Sequence, residues 1–207
     1  MNRIEQLISD GEGERLDFKK EISSTNRIAK TIVSFANHKG GVLLVGVNDN
    51  KTISGVKVEE ERFMLQQAAT FFCKPEIELT INEWHLGKKT ILEVVIPNGN
   101  DKPYYAKDEE GKWWVHIRVK DQSLLASKVV VEVLRRQASK ENTIIEYSSK
   151  EKALLDYLSK HNRITVKEYC KLLNISRWRA IKILVNLVSI GVMRLHNTEK
   201  TEFYTLS

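Results

Sequence analysis

Residues 11–47, GEGERLDFKKEISSTNRIAKTIVSFANHKGGVLLVGV, decide the fold of the chain. They predict an acidic loop, a charged strand, an amphipathic helix and a second strand, in that order. Apolar residues recur at the spacing of one helix face over 28–36. The pair Gly40-Gly41 then ends the helix, because glycine adopts a positive φ without steric cost. The wholly apolar run 42–47 predicts a central strand that is covered on both faces.

Several spaced motifs follow one another in and beyond this stretch. They are Glu12, LDFK at 16–19, FAN at 35–37, GG at 40–41, GVND at 46–49, KPYY at 102–105 and VHIRV at 115–119. In this order they resemble the Schlafen AlbA-like domain, also called a divergent AAA domain, over residues 3–137. The resemblance implies an α/β (α+β) domain with a mixed sheet and a role in DNA binding.

Composition sets the broad class of the protein. The 207 residues are 42% hydrophobic and 29% charged, which is typical of a soluble globular protein with room for one large or two small domains. The sequence has no run of 18 apolar residues, so we expect no membrane span and a cytoplasmic location. Cys73 and Cys170 lie far apart and predict two free thiols.

The positive charge is concentrated in the last 60 residues. Residues 148–207 carry 11 Lys/Arg and 5 Asp/Glu, whereas residues 1–147 carry 22 of each. This asymmetry favours binding to a phosphate backbone, although a basic tail that only keeps the protein soluble would look the same.

The C-terminal pattern predicts a second domain. A strand at 112–120 and a helix that begins at Asp121 or Ser123 and ends near Gln137 close the first domain, 1–138. The polar segment 139–148 predicts a linker. Residues 149–207 then show three amphipathic helices and two strands, the pattern of a winged helix-turn-helix.

The third of these helices carries the candidate DNA-reading residues. Ser176 is its predicted N-cap, and its core face centres near Ile181 and Leu184. The remaining faces and the wing supply the candidate nucleic-acid contacts Arg177, Trp178, Arg179, Lys182, Asn186, Arg194 and Lys200. Arg, Lys and Asn are the residue types that pair with guanine, phosphate and adenine. A winged helix used only for protein contacts or dimerisation is the alternative.

Three carboxylates lie near the ends of the first elements. The resemblance implies that Glu12, Asp17 and Asp49 are catalytic metal ligands, because eukaryotic relatives are ribonucleases that use an acidic trio with divalent metal. Mg²⁺ or Mn²⁺ would suit these oxygen ligands. The alternative is that Asp17 pairs with Lys19 on the same strand face, and Asn48 competes with Asp49 for the third position.

The turn after the first long helix is a candidate phosphate contact. Backbone N–H groups at Asn37, Lys39, Gly40 and Gly41 could bind a phosphate. The alternative is that the turn only ends the helix. It does not match a P-loop, so ATP is not supported as a cofactor.

These patterns together predict a DNA-binding transcriptional regulator. DNA is the expected partner, RNA the alternative polymer, and a homodimer is compatible with the pattern. The competing hypotheses are a metal-dependent ribonuclease and a non-catalytic adaptor.

Overall fold

The computed structural model describes residues 3–139 and 148–207. They belong to two compact units, Met1–Ala126 and Ser127–Ser207. The second unit therefore begins before the predicted linker at 139–148, most of which lies outside the described residues. The helix that sequence analysis assigned to the end of the first domain belongs to the second unit.

Over residues 3–126 the structure shows three helices and two four-stranded sheets in the first unit. Its elements are α1 (Arg3–Asp10), β1 (Leu16–Lys19), α2 (Thr25–Asn37), β2 (Gly41–Val45), α3 (Val58–Phe71), β3 (Cys73–Lys74), β4 (Thr80–Leu86), β5 (Lys89–Ile96), β6 (Tyr105–Lys107), β7 (Trp113–Val119) and β8 (Gln122–Leu125). The first sheet has the order β1-β2-β5-β4, with β1 and β2 parallel and the other pairs antiparallel. The second sheet, β3-β6-β7-β8, is antiparallel throughout. The mixed α+β architecture agrees with the sequence prediction.

Strand β2 is central and covered on both faces, as its apolar sequence predicts. Leu43 and Val45 pack into the cluster around α2, whereas Leu44 packs into the cluster beneath α1. Alternate side chains of a strand point to opposite faces, so each face needs its own apolar cover. Helix α2 supplies one cover and also contacts β6 and β7 of the second sheet.

Helix α2 begins and ends where the sequence predicts. The Ser24 side chain caps its N-terminus by accepting from the Arg27 N–H. Gly40 follows its C-terminus with φ +68°, and a Cβ at Gly41 would lie 2.4 Å from the Phe35 ring. Both glycines are therefore required by backbone conformation and by close packing.

The amide of Asn37 joins α2 to the second sheet. Its Nδ2 donates to the carbonyls of Tyr104 and His116, both at 2.9 Å, and its Oδ1 accepts from Tyr104 N at 2.8 Å. The residue is 4% exposed. Three buried backbone groups therefore have this one side chain as a partner.

The sequence prediction was wrong after β7. Residues 122–125 form β8, which pairs with β7, and the following helix begins only at Lys128. Ser123 lies in this strand opposite Arg118. Strand pairing satisfies the backbone that the predicted cap would have used.

Within its described residues, 127–139 and 148–207, the second unit has four helices and a hairpin. Its elements are α4 (Lys128–Ser139), α5 (Ser149–Leu158), α6 (Val166–Leu173), α7 (Arg177–Ser189), β9 (Met193–Asn197) and β10 (Glu202–Leu206). Strands β9 and β10 are antiparallel, and Ile164 forms an isolated bridge with Tyr204 of β10. Val129 and Val133 of α4 share one apolar cluster with Leu184 of α7. No helix within 3–139 or 148–207 is long and apolar enough to cross a bilayer.

We expect Asn37→Ala to lower the free energy of unfolding by about 3 kcal/mol, because it leaves buried donors and acceptors without partners. Urea unfolding measures the loss. Asn26→Ala is the matched control on the same helix, since Asn26 donates one hydrogen bond, to the Lys107 carbonyl, and should cost no more than about 1 kcal/mol. Equal losses for the two variants would contradict the role assigned to Asn37.

We also expect stability to depend on pH through His116. Burial lowers the pKa of this imidazole below its usual value, against a backbone hydrogen bond that raises it. The unfolded chain therefore binds a proton at a pH where the folded chain does not, and the free energy of unfolding falls as pH drops below about 6.5. Urea unfolding across this range should show a smaller slope for His116→Gln than for the unsubstituted protein. An unchanged slope in His116→Gln would contradict the assignment.

Candidate nucleic-acid interface

Helix α7 is set off from α6 by a short, well-defined turn. Asn174 ends α6 in the left-handed conformation with φ 48°, which an asparagine tolerates better than most residues. The Ser176 side chain then accepts from Arg179 N at 3.3 Å and caps α7. The N-cap predicted from the sequence is therefore present.

One face of α7 packs inward and another is open to solvent. Ala180, Leu184 and Leu187 are buried. The residues Arg177, Trp178, Arg179 and Lys182 are exposed. Trp178 is 65% exposed, and the Lys182 ammonium lies 5.4 Å from the centre of its ring. An exposed aromatic ring with cations beside it can contact bases and phosphates together.

Asn186 does not belong to this open set. Its Oδ1 accepts from Arg136 Nη1 of α4 at 2.6 Å, so the amide oxygen is already engaged. Reading an adenine requires both the oxygen and the nitrogen of the amide. The adenine contact predicted for Asn186 would require this hydrogen bond to be exchanged, and α4 places Arg136 beside the helix.

A cleft of about 660 Å³ runs beside α7, toward the start of α5. It is lined by Ser148, Glu151, Ser176, Trp178, Arg179, Lys182, Ile183 and Asn186. The Glu151 carboxylate accepts from Ser148 N at 3.1 Å in a capping box. The Glu151 carboxylate is thus held at the start of α5. The cationic side chains that line the cleft come from α7.

The hairpin carries the two remaining predicted contacts. Arg194 is exposed on β9, and Lys200 is exposed in the turn between the strands. Thr198 closes this turn by donating to the Thr201 carbonyl through its N–H at 3.0 Å and its hydroxyl at 2.8 Å. The structure therefore places these two cations on the hairpin, apart from the α7 face.

Arg177 lies toward the hairpin. Burial and a hydrogen bond to Glu202 raise the pKa of the Tyr204 hydroxyl, while the charge of Arg177 acts to lower that pKa. Arg177 is therefore close enough to β10 for its charge to act on the Tyr204 hydroxyl.

The predicted acidic trio does not form a metal site. Within 3–139 and 148–207, no group of three or more His, Cys, Asp or Glu side chains could hold a metal ion. Asp17 is buried and accepts from Arg118 Nη2 at 2.9 Å, and its other oxygen contacts Lys19 Nζ at 2.6 Å. Its pairing with Lys19 matches the alternative that the sequence offered.

The other two acids have separate surroundings. Glu12 accepts from Phe18 N at 2.8 Å, and burial, followed by the Asp17 charge, raises the pKa of its carboxyl group. Asp49 is exposed in the turn after β2. Glu12 and Asp17 are thus neighbours, but the structure does not bring Asp49 to them as a third ligand.

The predicted phosphate turn has an architectural role. The Asn37 amide is engaged by the second sheet, and Gly40 and Gly41 are buried. A Cβ at Gly40 would lie 2.7 Å from both Asn98 N and Ile96 O. Lys39 alone of the predicted set is exposed. Packing against the neighbouring loop therefore explains this Gly-Gly pair.

Arg136 is the interface residue that sequence analysis missed. It lies on a helix that the sequence pattern assigned to the other domain. Residues on α4 reach α7 only through tertiary packing, so neither spacing nor motif signals them.

Comparison with known proteins identifies a family and similar solved structures. The family model described as Schlafen, AlbA_2 matches residues 12–127. The solved DIP2311 protein from Corynebacterium diphtheriae is similar, with 16% identity and a TM-score of 0.47 over 65% of this chain, which spans 27% of that one. A second similar structure is the N-terminal domain of a Nitrosomonas europaea protein described as ATP-dependent DNA helicase RecG-related. It shares 20% identity with this chain, with a TM-score of 0.44, and the match covers 71% of this chain and 97% of that one. The comparison with curated proteins found no match.

We expect Arg118→Met to lower the free energy of unfolding by about 3 kcal/mol, because it leaves the buried Asp17 carboxylate without its guanidinium. Lys19→Met is the matched control. Both cations contact Asp17, but the Arg118 side chain is 1% exposed and the Lys19 side chain 39% exposed. The control should cost less than about 1 kcal/mol. Chemical unfolding compares them, and a larger loss for the lysine variant would refute the assignment.

Proposed function

Because the chain belongs to the Schlafen AlbA_2 family, which indicates a nucleic-acid-related function, we propose that it is a DNA-binding transcriptional regulator. In this proposal residues 149–207 bind the DNA as a winged helix-turn-helix, with α7 in the major groove and the β9-β10 hairpin as the wing. The first unit adds a second nucleic-acid surface, a dimer contact or an effector site.

The order of the elements supports this assignment. Three helices, α5–α7, precede the hairpin, and the bridge between Ile164 and Tyr204 adds a short third segment to it. In helix-turn-helix proteins the second helix of the motif enters the major groove. Helix α7 has the matching position after the turn at Asn174.

The observation that carries the proposal is the charge of the α7 surface. The sequence of α7, RWRAIKILVNLVS, contains three cations and no acidic residue. The cations Arg177, Arg179 and Lys182 are all exposed. Residues 148–207, which include α7, carry the whole net positive charge of the chain. Such a surface attracts a polyanion and releases counterions on binding.

Each exposed side chain has a definite role in this proposal. Arg179 and Lys182 contact base edges or phosphates in the groove, and the Trp178 ring contacts a thymine methyl group. The outer cations Arg177, Arg194 and Lys200 contact phosphates. Phosphate contacts provide most of the affinity, and each good base contact contributes about 1–3 kcal/mol of discrimination.

We expect Arg179→Ala combined with Lys182→Ala to weaken DNA binding by about a hundredfold at moderate salt, because two groove contacts are lost. The slope of log affinity against log salt should become shallower by up to about two. Fluorescence anisotropy with labelled duplex DNA measures both. The double variant Lys152→Ala with Lys160→Ala is the control, because it removes the same charge from exposed positions on or just beyond α5.

Two further arms of the experiment separate the hypotheses. Selection from a random duplex pool should enrich a defined sequence, as a regulator requires, and the α7 variant should lose that enrichment. Labelled structured RNA tests the alternative polymer. Duplex affinity unaffected by the α7 substitutions, or tighter binding to RNA than to any selected duplex, would overturn the proposal.

A further inference from the structure

A second cavity lies within the C-terminal unit, between α4 and α7. Its volume is about 260 Å³. It is lined by Lys128, Glu132, Arg136, Trp178, Ile181, Lys182 and Val185. None of the predicted functions used this space, because sequence analysis placed α4 in the other domain.

The lining separates apolar and charged groups. Ile181 and Val185 are buried and form an apolar floor, and the Trp178 ring forms a wall. Three cationic side chains line the rest: Lys128, Arg136 and Lys182.

The single acidic lining residue is paired with a cation from outside the lining. Glu132 Oε1 forms an ion pair with Arg135 Nη1 at 2.6 Å. The charge that a ligand in the cavity would meet is therefore positive. An apolar floor with convergent charged groups is typical of sites for small organic ligands.

We propose that this cavity binds a small organic anion, namely a carboxylate or phosphate ester on an apolar ring. The ring lies on Ile181 and Val185 beside Trp178, and the anionic group meets the cations at the rim. Arg136 is well suited to hold it, because a guanidinium carries five N–H donors in a fixed fork and Asn186 accepts from its Nη1. The volume suits a ligand of one ring and a short substituent.

Occupation of the cavity has a consequence for α7. Trp178 and Lys182 line the cavity and also belong to the face assigned to DNA. An anion that engages Lys182 removes a cation from the DNA contact, so the two ligands bind with negative coupling. This regulatory step rests on the proposed function, whereas binding of the anion itself does not.

Ligand-observed NMR with the full chain tests the site. The probes are benzoate, phenyl phosphate and the neutral benzyl alcohol. We expect saturation transfer to one or both anions and at least tenfold weaker binding of the alcohol. Lys128→Gln and Arg136→Gln should each weaken anion binding about threefold to tenfold through loss of one charge contact. Lys160→Gln is the control, since it makes the same charge change away from the lining.

The outcomes separate this site from the DNA interface. Benzyl alcohol binding as tightly as the anions would overturn the charge assignment, and unchanged binding by both cavity variants would overturn the site. Anisotropy with labelled duplex then tests coupling, where the bound anion should release DNA. If DNA binding fails while the anions bind and respond to the variants, the anion site stands and the proposed function falls. If DNA binds but no anion does, the proposed function stands and the anion site falls.

Discussion

The buried guanidinium of Arg118 connects most of the first unit. It extends from β7 of the second sheet, donates to Asp17 of β1 at 2.9 Å and to the carbonyls of Gly13 and Leu16 at 3.1 and 3.2 Å. It also lies 4.6 Å from the centre of the Phe35 ring on α2. A guanidinium that is this deeply buried needs several hydrogen-bond acceptors, because removing its charge from water is costly. The two sheets and α2 can therefore pack only in the arrangement that brings those partners together.

This constraint changes how the polar motifs of the N-terminal stretch are interpreted. Asp17 and Asn37 have the chemistry of ligands, one for metal and one for phosphate. In the structure Asp17 balances Arg118, and Asn37 holds Tyr104 and the His116 carbonyl. Polar side chains in a close-packed interior are expensive unless they are fully hydrogen-bonded. These residues are required by the packing of the fold, and the proposed function therefore rests on the exposed surface of the second unit.

That second surface depends on α4 as much as on α7. Sequence periodicity correctly predicted that Ile181 and Leu184 of α7 lie in the core. It also predicted that Arg179 and Lys182 are exposed. It could not predict that Arg136 binds Asn186, because a helical wheel describes one helix alone. The packing of α4 converts a simple recognition face into a face beside a charged cavity.

The sequence by itself determined the local elements: α2 with its glycine stop, the doubly covered β2, the capped α7 and the uneven charge. These follow from periodicity, backbone sterics and composition, which act between residues close in the chain. Only the tertiary structure decided that residues 122–125 pair as a strand, that α4 joins the C-terminal unit, and that Asp17 meets Arg118 while Asp49 remains apart. Those outcomes depend on contacts between residues distant in the chain, where burial and hydrogen-bond satisfaction of the whole fold override local preference.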